Sequence, residues 1–244
     1  MAPLSRADRV EAGLRDAVSS PDRARAADQL CAACVELLDV DGAALSLWLD
    51  GDARGTFGAS GTLSRRLDEL QFTFGEGPCV DAVRTDRPVL VNDLDQARQA
   101  RWPAFTGAAL EAGVGAIFAM PVRIAVMPFG SLDLFRHRAG ELSDADLNAG
   151  FEAAELATLP LLDLMSSQVD WAAVGEGGDA SEQLASLERV EVYQAVGMLI
   201  GQLDVTPAEA MARLRGHAFS TGATASEVAW RIVDRRLTLE GDVL

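Results

Sequence analysis

Behind Ser20-Pro21-Asp22, apolar residues recur at helical spacing at Ala26, Leu30, Cys34, Leu37 and Leu38, predicting a helix that ends near Val40-Asp41-Gly42. Ala43 to Leu49 is a short apolar run and predicts a strand. Gly51, Gly55, Gly58 and Gly61 mark a turn-rich stretch with room for short strands, leading through Leu70 to Phe74 into the tight turn Gly75-Glu76-Gly77-Pro78. Cys79 to Val83 opens a short helix, Pro88 to Asp93 reads as an edge strand led in by proline, and Trp102-Pro103-Ala104-Phe105 starts a helix ending at Gly113. Two strands follow, Ala116 to Arg123 and Gly130 to Phe135, and Ser143-Asp144-Ala145-Asp146 caps a long helix through Met165. This order predicts an α+β domain built on an antiparallel sheet with flanking helices, over residues 22–166, preceded by a helical N-terminal segment, 1–21.

The C-terminal pattern is different. Val192, Ala195, Val196, Leu199 and Leu203 share one stripe of a helix over Glu188–Leu203, which Asp204-Val205 interrupts. Thr206-Pro207-Ala208-Glu209 then has a hydroxyl N-cap, a proline at the first helical position and a carboxylate placed to close a capping box, ahead of Ala210, Met211, Leu214 and Ala218. Gly222 ends that helix, and Thr224-Ala225-Ser226-Glu227 repeats the box before Val228, Ala229, Ile232, Val233 and Leu237. A glycine inside a helix costs about 0.5 to 1 kcal/mol against alanine, so Gly197, with Ala195, is expected to mark a tight helix contact.

In order, spacing and residue size, Val192, Ala195, Gly197-Met198-Leu199-Ile200, Glu209-Ala210, Leu214-Arg215, Ala218, Val228-Ala229 and Ile232-Val233 resemble the ANTAR domain. The resemblance implies that residues 183–244 form a three-helix RNA-binding module, of a family that acts in transcription antitermination by holding stem-loops in nascent messenger RNA. Many members carry a basic residue between the alanine and glycine of the first helix; Val196 stands there in this chain. Upstream, Gly75-Glu76-Gly77-Pro78-Cys79-Val80-Asp81-Ala82-Val83, the strand at Pro88 to Asp93 and the final strand Gly130 to Phe135 resemble a GAF domain. That likeness implies either a small-molecule pocket beside the sheet or a dimerising scaffold. Residues 167–182, rich in glycine and small side chains, read as a flexible linker.

The composition narrows the function. The 244 residues carry a net charge of −16, and all 21 basic residues are arginine. Without lysine, a P-loop, a pyridoxal enzyme and a protein kinase are excluded, as is the phosphoacceptor site that receiver domains resemble one another in using. No apolar run is long enough to cross a membrane, and the N-terminus lacks a signal-peptide core, so a cytoplasmic protein is expected. From Ser181 onward six arginines face nine acids, so any RNA contact has to be local and shape-selective rather than bulk electrostatic.

The expected RNA-contact set is Arg189, Gln194, Ala195, Gly197, Arg213, Arg215, His217, Arg231, Arg235 and Arg236. Against it stand the pairs Glu209 with Arg213 and Glu227 with Arg231, four apart in the order that favours intrahelical ion pairs. A ligand pocket is expected from Trp48, Phe72, Phe74, Cys79, Trp102, Phe118 and Met120, side chains that equally suit a plain core. Cys31 and Cys34 sit one helical turn apart but lack two further ligands for a closed zinc site, and are read as buried core. Cys79 opens a helix whose free N–H groups favour a thiolate, the one handle for a redox enzyme of the methionine sulfoxide reductase kind. His137 and His217 complete no catalytic set, and no cofactor or metal is expected. The chain therefore reads as a non-enzymatic sensor and RNA-binding antitermination regulator acting on hairpin loops in transcript leaders, as a homodimer. The alternative is a regulator whose helical tail docks on another protein.

Overall fold

The computed structural model describes residues 5–19, 23–49, 52–97, 101–124, 127–160, 162 and 189–239. The linker at 167–182, the helix start at Ser20 to Asp22 and the helix end at Met165 lie outside the described residues. Two helices, α1 (Arg6–Val18) and α2 (Arg23–Leu37), lead into strands β1 (Gly42–Leu49) and β2 (Asp52–Ala59). Helices α3 (Thr62–Phe74) and α4 (Pro78–Thr85) follow, then β3 (Val89–Val91), α5 (Leu94–Ala97) and α6 (Pro103–Glu111). Strands β4 (Ala116–Ile124) and β5 (Met127–Arg136) and helix α7 (Asp144–Leu156) complete this part. The five strands form one antiparallel sheet in the order β2-β1-β5-β4-β3.

Side-chain alternation along β4 and β5 divides the interior in two. Phe118, Met120, Leu132 and Leu134 point with Leu45 and Leu47 toward α1, α2 and α7, where Leu14, Leu30, Cys31, Cys34 and Ala153 meet them. Ile117, Ala119 and Phe135 point the other way, onto Leu67 and Leu70 of α3, Ala82 of α4 and Trp102 and Phe105 around α6. The sheet is thus covered by helices on both faces. A capping box between Ser5 and Asp8 starts α1, and Arg6 reaches Asp146 of α7 at 2.7 Å.

Two elements differ from the pattern read in the sequence. The glycine-punctuated stretch is a full eight-residue strand, β2, paired with β1 along its length through two register shifts. Residues 62–74 form a helix where only a lead-in to the turn was expected: Leu63, Leu67, Leu70 and Phe74 make its apolar stripe, and its buried positions also include Ser64, Asp68, Gln71 and Thr73.

The C-terminal residues form α8 (Val190–Leu203), α9 (Pro207–Thr221) and α10 (Ala225–Val233) around Val192, Ala195, Leu199, Ala210, Leu214, Ala218, Val228, Ala229 and Ile232. Both capping boxes close: Glu209 N–H donates to Thr206 Oγ1 at 3.3 Å and Thr206 N–H to Glu209 Oε2 at 2.9 Å, and the Thr224–Glu227 pair repeats the exchange. Gly222 ends α9 in the left-handed conformation at φ 66°. Leu237, read as part of the third helical stripe, packs on the module from beyond the end of α10.

Glycine reports how closely β2 lies on α2. A Cβ on Gly58 would sit 2.6 Å from the Ala27 carbonyl carbon, backbone that cannot rotate away. Gly58→Ala is expected to destabilise the protein by about 1 to 3 kcal/mol. Gly107, inside α6 with nothing within 4 Å of the added carbon, is expected to do the opposite, Gly107→Ala gaining about 0.5 to 1 kcal/mol. Paired urea titrations check both signs.

Candidate nucleic-acid interface

The expected RNA-contact residues fall into two groups with different surroundings. The first lies against α3. Arg189, just ahead of α8 and itself left-handed at φ 46°, is 2% exposed. Its Nη2 lies 3.2 Å from Asp68 Oδ2 and its Nη1 3.0 Å from Glu69 Oε1, while the guanidinium carbon sits 3.9 Å from the centre of the Phe72 ring. Arg215 of α9 lies over the same ring at 4.8 Å. Around them Ala225 N–H donates to Thr73 Oγ1 at 2.9 Å, Ser226 Oγ donates to Glu69 Oε2 at 3.0 Å, and Phe219 meets Phe74 edge to face at 5.7 Å. Burial pushes the Glu69 carboxyl up from its ordinary value, with Arg189 working against that shift.

The second group is exposed at the other end of α10. Arg231, Arg235 and Arg236 are all exposed, and the chain turns there through a left-handed Arg235 at φ 57°, with Arg236 N–H donating to the Arg231 carbonyl. Arg235 lines a groove of about 460 Å³ with Met198, Gln202, Ile232 and Thr238. Met198 and Gln202 belong to a face of α8 that also carries Gln194, Gly197 and Gly201, at i, i+3, i+4, i+7 and i+8 spacing. Gly197 therefore does not mark a tight internal contact as its sequence suggested. It is exposed, and a Cβ there would meet nothing within 4 Å; the close packing is at Ala195, which is wholly buried and unavailable to a ligand. Glu209 and Glu227 turn back onto their own caps, while Arg213 and His217 are half-buried on α9.

The pocket residues read from the sequence are spread over several clusters. Phe118 and Met120 face α2 and α7, Trp102 lies across the sheet with its indole N–H on Asp81 at 3.1 Å, and Phe72 belongs to the core of the C-terminal helices. Phe74, the last residue of α3, packs on the cluster that includes Phe105 and Ala109 of α6. Trp48 and Cys79 do meet, in a small cluster with Val80 and Val83.

Next to that cluster lies a buried polar chain that the sequence did not flag. Trp48 Nε1 donates to Ser46 Oγ at 3.3 Å, Ser46 Oγ touches Cys79 Sγ at 3.6 Å, and Cys79 N–H donates to Gln71 Oε1 at 2.8 Å. The Gln71 amide donates in turn to Asp133 Oδ2 at 2.6 Å, and Ser131 Oγ to Asp133 Oδ1 at 2.6 Å. Burial pushes the Asp133 carboxyl up to about 7, against the hydrogen bonds from Ser131 and Gln71.

A family model of the GAF domain matches residues 20–159. The chain belongs to the GAF family. An ANTAR domain follows, matched over residues 181–233. Two solved structures share the fold of the GAF part. The GAF domain of a phosphoenolpyruvate-protein phosphotransferase (ptsP) from Coxiella burnetii matches with 14% identity and TM-score 0.55, covering 67% of this chain and 97% of that one. The GAF domain of an Acinetobacter phosphoenolpyruvate-protein phosphotransferase matches with 10% identity and TM-score 0.51, covering 65% and 93%. No curated relative matches the chain.

This GAF–ANTAR chain therefore pairs a sensory domain with an antitermination module, both of regulatory type. In its GAF domain Cys79 does not have the activated thiol that a helix start offers. It is 1% exposed, and burial, followed by the charges of Asp133 and Asp68, pushes its pKa well above the ordinary thiol value. Burial likewise pushes the Cys34 thiol up to about 12 and Cys31 well up. Among the described residues no group of three or more His, Cys, Asp and Glu side chains is placed to hold a metal, and no helix is long and apolar enough to cross a membrane.

The raised Asp133 pKa fixes a pH dependence. An unfolded Asp titrates near 3.8 and the folded one near 7, so its contribution favours the fold fully below about pH 4 and is lost as pH rises through 7. Wild-type unfolding free energy is expected to fall from pH 4 to 8 relative to Asp133→Asn, measured by urea titration at each pH. Parallel curves would show that folding does not raise the Asp133 pKa.

Proposed function

We propose that this chain is a cytoplasmic RNA-binding antitermination regulator. In this reading the GAF domain sets the arrangement of a homodimer, and the paired ANTAR modules hold adjacent hairpin loops in a transcript leader so that the terminator stem does not form. The observation that carries the reading is the second group of residues: three exposed arginines beside a helix face bared by Gly197 and Gly201. Guanidinium groups fork onto phosphate oxygens, and a helix without side chains at two successive turns lets a phosphodiester backbone come close. Two modules presented together would compensate for the weak charge of each.

The acidity of the chain sets the form of the interaction. With a net charge of −16, few phosphates are neutralised, and the affinity depends on salt only through those few contacts. Arg189 and Ala195 take no part in this outer face.

A second reading, a protein partner for the tail, is favoured by Tyr193 and Trp230, which are 41% and 54% exposed on α8 and α10. Binding by the full chain to a leader RNA with two adjacent small-loop hairpins separates the two. In the RNA reading, changing Arg231, Arg235 and Arg236 together to alanine weakens binding about tenfold or more and flattens the log–log salt slope by about two to three. Gly197→Ala is expected to raise the stability of α8 by about 0.5 to 1 kcal/mol and yet weaken RNA binding, a sign reversal that a purely structural glycine would not give. Absence of salt-sensitive RNA binding, with the arginine variant unchanged, would leave the protein-partner reading.

A further inference from the structure

We infer that the face of α3 carrying Asp68, Glu69, Phe72 and Thr73 is an intramolecular docking surface that competes with RNA for the ANTAR domain, withholding Arg189 and Arg215 until the domain is released. This rests on the RNA-binding reading. It adds that the described arrangement is the closed one.

The chemistry of the surface supports it. RNA offers a guanidinium two things, an anionic oxygen to fork onto and a π-face to stack on. The face of α3 offers the same pair: the carboxylates of Asp68 and Glu69 at 3.2 and 3.0 Å from Arg189, and the Phe72 ring under both Arg189 and Arg215. Arg189 is 2% exposed and Asp68 4%, so no second anion reaches that guanidinium while the domain is docked.

Among the described residues the rest of the contact is two hydrogen bonds, to Thr73 and Glu69, one edge-on ring contact in which Phe219 stays 60% exposed, and the packing of the Phe72 ring into the apolar core of the C-terminal helices. The same helix is tied to the sensory interior through Gln71, which holds both Asp133 and the Cys79 amide. A shift of α3 driven from that interior therefore changes the docking surface directly. A docked fraction lowers apparent RNA affinity in proportion to the population that remains competent.

The test uses the full chain carrying Glu69→Ala and Thr73→Val, which removes an Arg189 ion pair and the bonds to Ser226 and Ala225 while leaving every ANTAR residue unchanged. Hydrogen exchange reports docking, and binding of the two-hairpin leader RNA reports competition. The expected result is faster exchange at the starts of α8 and α10, wild-type protection across β1, β4 and β5, and RNA affinity raised about tenfold. Faster exchange with unchanged RNA affinity overturns the competition while leaving RNA binding intact. Faster exchange with no RNA binding by either protein shows instead that the RNA reading has failed and takes the competition with it. Unchanged exchange shows that these contacts do not hold the domain, and also overturns the inference.

Discussion

A guanidinium enclosed in protein has to be neutralised where it sits, and the burial of Arg189 imposes that condition on everything around it. Asp68 and Glu69 meet it from one helix and the Phe72 ring covers the remaining face, so three residues of α3 are committed to one cation of the C-terminal region. Removing one partner of such a buried pair costs about 3 to 5 kcal/mol, because the other charge is left uncompensated. Arg189 is also held in the left-handed region, a conformation that costs a residue with a Cβ about 1 to 2 kcal/mol. The chain thus begins α8 at a point where charge, ring and backbone are all fixed together.

The same helix carries polar residues inward. Gln71 bridges Asp133 and Cys79, and Asp68, besides meeting Arg189, accepts a hydrogen bond from Thr56 of β2 at 2.5 Å. Because α3 has a satisfied polar contact on each side, its position is set by geometry as well as by apolar packing. The absence of lysine fits this arrangement. A planar, weakly hydrated guanidinium can be buried against a ring and forked onto carboxylates, whereas a compact ammonium holds its water.

Much of this architecture was legible in the sequence, and the gaps have a common cause. The helices of the ANTAR domain were written in hydroxyl caps and carboxylates at Thr206–Glu209 and Thr224–Glu227, local signals that need no tertiary context. Strands β1, β4 and β5 were read from short apolar runs. Helix α3 was not, although Leu63, Leu67, Leu70 and Phe74 stand at helical spacing: Gly61 gives it no side-chain cap, and its other buried positions are Asp68, Gln71 and Thr73, each paired with a residue distant in sequence. For the same reason the arginines could be named but not sorted. Arg189 and Arg235 look alike in the sequence, and only the fold shows one enclosed by carboxylates and the other beside an open groove. Gly197 was misplaced because a mid-helix glycine signals close approach without saying whether the neighbour lies inside the molecule.

The margins of the sheet carry a consequence of their own. β3 contributes only three residues behind Pro88, and β2 at the opposite margin is kinked by two register shifts. Neither border offers a long, regular ladder of vacant amides and carbonyls, so both are poor templates for strand-to-strand recruitment of another chain. Helices cover both faces of the sheet, so a chain approaching it broadside would meet helical surfaces and leave the β-framework underneath undisturbed.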